Sequence, residues 1–268
     1  MTPSPAAGPP TVAVAAGEPP LGAARRDAAR HGGVAADAVV LKSVQPAGWD
    51  GCLGISVPQQ PCSQLFVAGE VALFAAGGQE YRYHIAGSRV LGPVDPAHAT
   101  DGSPVPPEDA PDLDAALAAY AADDFAIANH LDARTVIVIA AWPASSDGTA
   151  LVRVRATAGD EAVYALAPAT GITKQAGTGA LAQPPPEVAS VELAMRQELA
   201  RVQDADVASI SVLSYHPRTW PNGCAGLEQP GVVCAQVVTP GFSAMLSDAR
   251  GKTYEFRGSG QHFGLVSP

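Results

Sequence analysis

A segment that occurs twice constrains this chain more than any other feature. Trp49-Asp50-Gly51-Cys52-Leu53-Gly54, followed by Cys62 and then by Gly78-Gln79-Glu80-Tyr81-Arg82-Tyr83, is matched near the C-terminus. The match is Trp220-Pro221-Asn222-Gly223-Cys224-Ala225-Gly226, then Cys234, then Gly251-Lys252-Thr253-Tyr254-Glu255-Phe256. The separation is 171 residues at Trp49 and Trp220, 172 at both cysteine positions, and 173 at Tyr81 and Tyr254, with Asn222 read as the first added residue. A near-constant offset of this kind marks an internal repeat. Gly159-Asp160-Glu161-Ala162-Val163-Tyr164 lines up with Gly78 to Tyr83 at an offset of 81, so the middle of the chain reads as a third, diverged copy. That copy keeps a tryptophan, Trp142, but has no cysteine and a shorter loop.

The cysteines bear on compartment. Four cysteines can pair in three ways. Both outer copies carry Cys-x9-Cys, so Cys52–Cys62 and Cys224–Cys234 is the simplest pairing. A loop of about ten residues closed in this way stabilises by about 2–3 kcal/mol in the chain-entropy model. Structural disulfides persist in oxidising compartments. The expectation is an exported protein, extracellular or in the cell envelope, whose leader is absent from this chain, because residues 1–20 have neither a basic n-region nor an apolar h-region. A zinc site is the competing account. The spacing suits it badly, and no histidine occupies a matched position in both copies.

Composition excludes several classes. The formal net charge of -10 leaves no basic footprint for nucleic acid or an anionic membrane. With 47% hydrophobic and 16% charged residues, long disordered charged tracts are not expected. No apolar run is long enough for a membrane span.

In order, residues 1–20 read as a flexible Pro/Ala arm, 21–92 as the first repeat unit and 93–110 as a Pro-rich linker. Residues 111–175 read as the second unit, 176–187 as a linker and 188–268 as the third unit. The first unit should hold a helix over 23–31 ended by Gly32-Gly33, a strand over 38–44 stopped by Pro46, and a strand over 64–75. A turn at Gly77-Gly78 should lead to a third strand, with Tyr81, Tyr83 and Ile85 on one face and Arg82 and His84 on the other. The middle unit should hold a helix capped by Asp112 and reaching about His130. Strands should follow over 135–143, 149–156 (Arg153 and Arg155 opposite the valines) and 161–167. The third should hold a helix capped by Ser190, with Val191, Ala194, Met195, Leu199 and Val202 as its apolar face. Its strands should run over 209–215, 235–239, 243–247 and 253–256, before a Gly-rich tail from Arg257. The fold class is α+β: three tandem small units, each one helix packed on an antiparallel three- to four-stranded sheet, with a disulfide loop in the first and third.

The Trp-x-x-Gly-Cys-x-Gly element with its final Gly-x-x-Tyr-x-Tyr/Phe strand resembles a module of bacterial secreted and lipoprotein-like proteins, mostly of unknown function. The order of one helix and antiparallel strands resembles the PepSY domain. PepSY-like domains are associated with restraining peptidases outside the cytoplasm, so the resemblance implies an inhibitory or binding role. It brings no catalytic residues with it.

The crosslinked loops are the candidate recognition surfaces, since a short closed loop is already ordered and loses less entropy on binding. The candidate binding residues are Trp49, Leu53, Ile55 and Gln59 in the first loop, and Trp220, Leu227, Glu228 and Gln229 in the second. The alternative is structural: the crosslink holds a long β-β connection, and Trp49 and Trp220 plug the core. None of the six histidines forms HExxH or pairs with a copy-matched carboxylate. No GxSxG is present, Thr178-Gly179 lacks a Walker lysine, and Asp123-Asp124 reads as a solvated helix face. No catalytic set, metal or cofactor is read from the sequence. The expected function is a non-enzymatic protein that binds a protein or peptide, such as a secreted peptidase. The rivals are an envelope structural or adhesive repeat module and, behind it, a hydrolase with a site between units.

Overall fold

Residues 11–56, 61–143, 149–175, 183–227, 231 and 233–266 are described by a computed structural model. In chain order they form β1 (Thr11–Val12), α1 (Pro20–Gly32), β2 (Val40–Trp49), β3 (Val67–Ala76), β4 (Gln79–Ala86), β5 (Arg89–Leu91) and α2 (Leu113–Ala128). Then come β6 (Val136–Pro143), β7 (Ala150–Ala156), β8 (Glu161–Ala167), β9 (Gly171–Lys174), α3 (Pro186–Gln203), β10 (Ser211–Trp220), β11 (Thr239–Ser247), β12 (Thr253–Ser259) and β13 (His262–Leu265). The strands make three antiparallel sheets, ordered β1-β5-β4-β3-β2, β6-β7-β8-β9 and β10-β11-β12-β13. The class is mixed α+β with three helices. The first sheet has five strands where three were read, the second has four where three were read, and the third has four. The chain divides into two lobes, residues 1–120 with 168–172, and residues 121–167 with 173–268.

In the first lobe, α1 begins with Pro20 at its first turn and ends at Gly33, whose φ of 64° gives a left-handed C-cap. Its buried Leu21, Ala24 and Ala28 face the sheet side that carries Ala72, Phe74, Tyr83 and Ile85. The Tyr83 hydroxyl donates to Asp27 Oδ2 at 2.9 Å, a buried bond that ties helix to sheet. Gly77 and Gly78 take φ of 58° and 78°, the backbone that a two-residue hairpin demands. A Cβ at Gly77 would also stand 2.2 Å from the Gly32 carbonyl oxygen.

Pro46 does not stop the first long strand, which runs on to Trp49. β2 is an edge strand. The N–H of Val44 points away from β3 and donates to the Pro168 carbonyl at 2.8 Å. Two residues on, Pro46 has the same orientation, so its missing donor costs no ladder bond. Pro217 holds the matching place in β10, another edge strand. A register shift recurs in the first strand pair of every sheet, between Leu41 and Ser43, Val138 and Ala140, and Val212 and Ser214. The arm read over 1–20 contains β1, which pairs with β5 through Thr11 with Leu91 and Val12 with Val90.

In the second lobe β6 lies beside β10, and the Val138 N–H donates to Ser211 Oγ at 3.2 Å. α3 starts at Pro186, four residues before the expected Ser190 cap, because proline is preorganised for a first helical turn. Its Val191, Met195 and Leu199 are buried, but Val202 is 45% exposed and lies off the apolar face. Arg153, on the strand face opposite Val152 and Val154, is buried and donates to Gln183 Oε1 at 2.7 Å. Residues 235–238 are not strand, and the tail read from Arg257 is the end of β12 and the whole of β13.

Three buried titratable groups oppose one another in their pH dependence. Burial pushes the Glu192 carboxyl up from 4.5 to about 8, although Oε1 accepts the Ala141 N–H at 2.9 Å. Burial pushes the Glu70 carboxyl from 4.5 to about 7. The folded state therefore binds more protons than the unfolded chain, and stability falls as pH rises from 4.5 through about 7 to 8. Burial lowers the His84 imidazole below 6.5, so stability also falls as pH drops below 6.5. Two carboxyls outweigh one imidazole, so thermal melts should show stability falling from about pH 5 to about pH 8, most steeply on the alkaline limb above 6.5 where the imidazole no longer opposes them. Glu192→Gln should flatten the alkaline limb; an unchanged alkaline limb would show that Glu192 is ionised in the folded state.

Candidate functional site

Both crosslinked loops are built on one backbone plan. Asp50 Oδ1 accepts the Cys52 N–H at 3.0 Å, and Asn222 Oδ1 accepts the Cys224 N–H at 3.0 Å. Asp50 and Asn222 are therefore equivalent, and the added residue is Pro221 rather than Asn222. Leu53 and Gly54 take φ of 53° and 71°; Ala225 and Gly226 take 52° and 73°. Disulfides join Cys52 to Cys62 and Cys224 to Cys234, with Cα atoms 5.4 and 5.3 Å apart. With each sulfur bonded to its partner, neither pair offers thiolates to zinc. Gln64 Nε2 donates to the Cys62 carbonyl and Gln236 Nε2 to the Cys234 carbonyl, so the exit from each loop is also alike.

The two loops differ in what they do. The first is a core plug. Trp49, Leu53 and Ile55 are all buried and share a cluster with Ala47, Leu91 and Val94, so the structure places these three candidate binding residues in the core rather than on the surface. The Trp49 ring stacks on His84 with centroids 4.6 Å apart. His84 Nδ1, 2.7 Å from the Leu53 carbonyl, must donate to it, since a carbonyl only accepts. The Pro-rich stretch read as a linker over 93–110 straps this loop in place. Gly48 and Ser103 exchange two backbone bonds, Thr100 N–H donates to Gly54 O, and Ser56 N–H donates to His98 O. Gln59 lies outside the described residues.

The second loop is open. Among the described residues, no bridge of the kind made by Gly48 with Ser103 and Ile55 with Ala99 holds it. Trp220 is only partly buried; its Nε1 donates to the Gly258 carbonyl at 3.0 Å, and the Arg257 guanidinium lies 5.7 Å from its ring centre. Leu227 lines a cleft of about 720 Å³. Glu228 and Gln229 lie outside the described residues.

This cleft has three walls, all in the second lobe. One is the flank of α3, where Ala194, Gln197, Glu198 and Arg201 recur at helical spacing. The second is the loop at Cys224, Ala225 and Leu227. The third is β13 from end to end. Glu198 and Arg201 form a two-point ion pair at 2.8 and 2.6 Å, which holds the Glu198 carboxyl below its usual range. The chemistry on offer is an apolar strip rimmed by amide, carboxylate and guanidinium groups, which suits recognition of a mixed polar and apolar chain. Of the candidate binding residues read from the sequence, Leu227 alone among the described ones lines it. Gln197, Arg201 and Phe263 were missed. The first two carried a readable signal, the polar run Gln197, Glu198 and Arg201 one helical turn long beside the apolar face.

Trp49→Ala should cost about 3–5 kcal/mol in urea unfolding, since a buried stacked ring is lost. Trp220→Ala should cost clearly less, and equal losses would contradict the different packing of the two loops. Removing either disulfide by paired Cys→Ala substitution should cost about 2–3 kcal/mol.

Comparison with known proteins bears on this geometry. A family model described as "Domain of unknown function (DUF8738)" matches residues 21–91 and residues 192–265. Each span takes in helical residues and the four strands that follow. No curated protein matches. The Bacillus megaterium YpeB C-terminal domain is similar at 10% identity and a TM-score of 0.16, over 91% of this chain and 97% of that one.

Proposed function

The chain belongs to the family described as Domain of unknown function (DUF8738), and from that premise we propose that it is an exported, non-enzymatic protein that binds a protein or peptide partner in the cleft beside its second crosslinked loop. The observation that carries the reading is the contrast between two loops of one design. Where the first is sealed into a core, the second stands open on a cleft with an apolar strip and a charged rim. Two disulfides in one chain support an oxidising compartment. The recurring strand bulge supports three tandem repeat units, the middle one without a crosslink, and the family matches support the first and third. A secreted peptidase is the narrower candidate partner, suggested by the PepSY-like order of elements in the sequence.

The test is a displayed library of random peptides together with a panel of secreted peptidases, analysed by enrichment and by gel filtration. Binders should be enriched and should be lost with Leu227→Asp combined with Arg201→Glu, while the far-ultraviolet circular dichroism stays unchanged. Absence of any enriched peptide and of any peptidase complex would remove the proposal.

A further inference from the structure

We propose that the open edge of β13 takes up an extended segment of a partner polypeptide as an added antiparallel strand, which deepens the cleft reading above and rests on it. The argument comes from the first lobe, where the equivalent edge is already occupied. Tyr83 and Phe256 are matched positions, and both sheets continue from them in one register. His84 pairs with Leu91 and Ile85 with Val90; Arg257 pairs with Gly264 and Gly258 with Phe263. Phe263 thus stands where Val90 stands. On the outer side of β5 lies β1, with Val12 opposite Val90. On the outer side of β13 no strand pairs among the described residues.

The helices agree with the strands. Ala23, Arg26 and Arg30 of α1 correspond to Ala194, Gln197 and Arg201 of α3, an offset of 171, and all three α3 residues line the cleft. α1 packs against β1, and Ala23 is fully buried; Ala194 is partly exposed. Val90 is fully buried, whereas Phe263 is partly exposed. Arg26 Nη2 donates to the Ala13 carbonyl at 2.9 Å, one residue beyond β1. Gln197 sets an amide donor at that same place. Asp27, which takes the Tyr83 hydroxyl bond, corresponds to Glu198, and Phe256 has no hydroxyl to hold it, so the Glu198–Arg201 pair lines the cleft.

The first lobe therefore shows the occupant as well as the slot. It is a short extended segment with a branched apolar side chain opposite Phe263, a small polar one opposite Gly264, and a following backbone carbonyl for Gln197. Main-chain hydrogen bonds along the edge supply the attraction, and alternate side chains supply the selection.

The probe is a fluorescent synthetic peptide with the sequence of residues 10–18, which contains Thr11-Val12-Ala13, added to the full chain. Two N-methylated versions block alternate peptide N–H groups. One version should bind about tenfold or more weakly and the other should bind like the parent, because only one set of N–H groups faces the strand. Hydrogen exchange should slow at Phe263 and Leu265, and Gln197→Ala should weaken binding. Binding by library peptides without protection of β13, or with both N-methylated versions bound equally, would overturn strand addition and leave the cleft reading standing. Protection confined to Arg89–Leu91 would show exchange with the molecule's own β1 and would overturn it too. A concentration-dependent dimer lost on deletion of residues 1–14 would assign the edge to a second copy and overturn the partner. Absence of binding by any peptide would remove both this inference and the reading beneath it.

Discussion

A small antiparallel sheet has two faces and two edges to satisfy, and it cannot satisfy them by itself. That constraint organises this molecule. In the first lobe the helix α1 takes one face and the crosslinked loop, with residues 94–103 strapped across it, takes the other. One edge is closed by β1, and the other, β2, is turned toward the Pro168 carbonyl and carries a proline. In the second lobe β10 finds β6 beside it. The other edge of the β10 sheet, β13, is where the cleft forms.

The helix-to-sheet bond shows how copies of one plan diverge. Tyr83 donates to Asp27 in a buried bond, and Tyr164 donates to Asp124 at 3.1 Å in a partly buried one, so the first two helices are pinned by the same hydroxyl–carboxylate pair. The third copy has Phe256 and Glu198. Loss of one hydroxyl removes the reason for the acid to face the sheet, and the carboxylate turns to Arg201 at the cleft rim instead. A buried hydroxyl without its partner would be costly, whereas removing donor and acceptor together from the core is nearly neutral.

Much of the fold was legible because local signals agreed with the final packing. The repeat offset located the disulfides, Gly77-Gly78 located a hairpin, and Asp112 located a helix start, where its Oδ1 accepts the Ala115 N–H at 3.0 Å. Misreadings arose where tertiary context reversed a local rule. Pro46 breaks central strands but is tolerated at an edge. Glycines at 258, 260 and 264 hid β12's end and β13 behind the appearance of a tail. The cleft was hardest to read, because its walls come from a helix flank, a loop and an edge strand far apart in sequence. The difference in burial between Trp49 and Trp220 cannot be seen in two segments that share their motif. In the first copy that burial depends on residues 94–103, which bond to the loop from outside the shared motif.

One substitution works against closing the second loop as the first is closed. His84 lies between Trp49 and the Leu53 carbonyl as a buried imidazole whose charge burial disfavours. Its counterpart is Arg257, which lies over Trp220 and is held by Glu255 at 2.6 and 3.0 Å. An imidazole can enter a dry core by losing its proton, but a guanidinium cannot be deprotonated in a protein and must keep ion partners and access to water. Ala225 in place of Leu53, and Leu227 in place of Ile55, then complete a loop that rests against the sheet without sealing it. A permanent cation under the tryptophan, in place of a neutralisable side chain, thus works against sealing the second loop into a dry core.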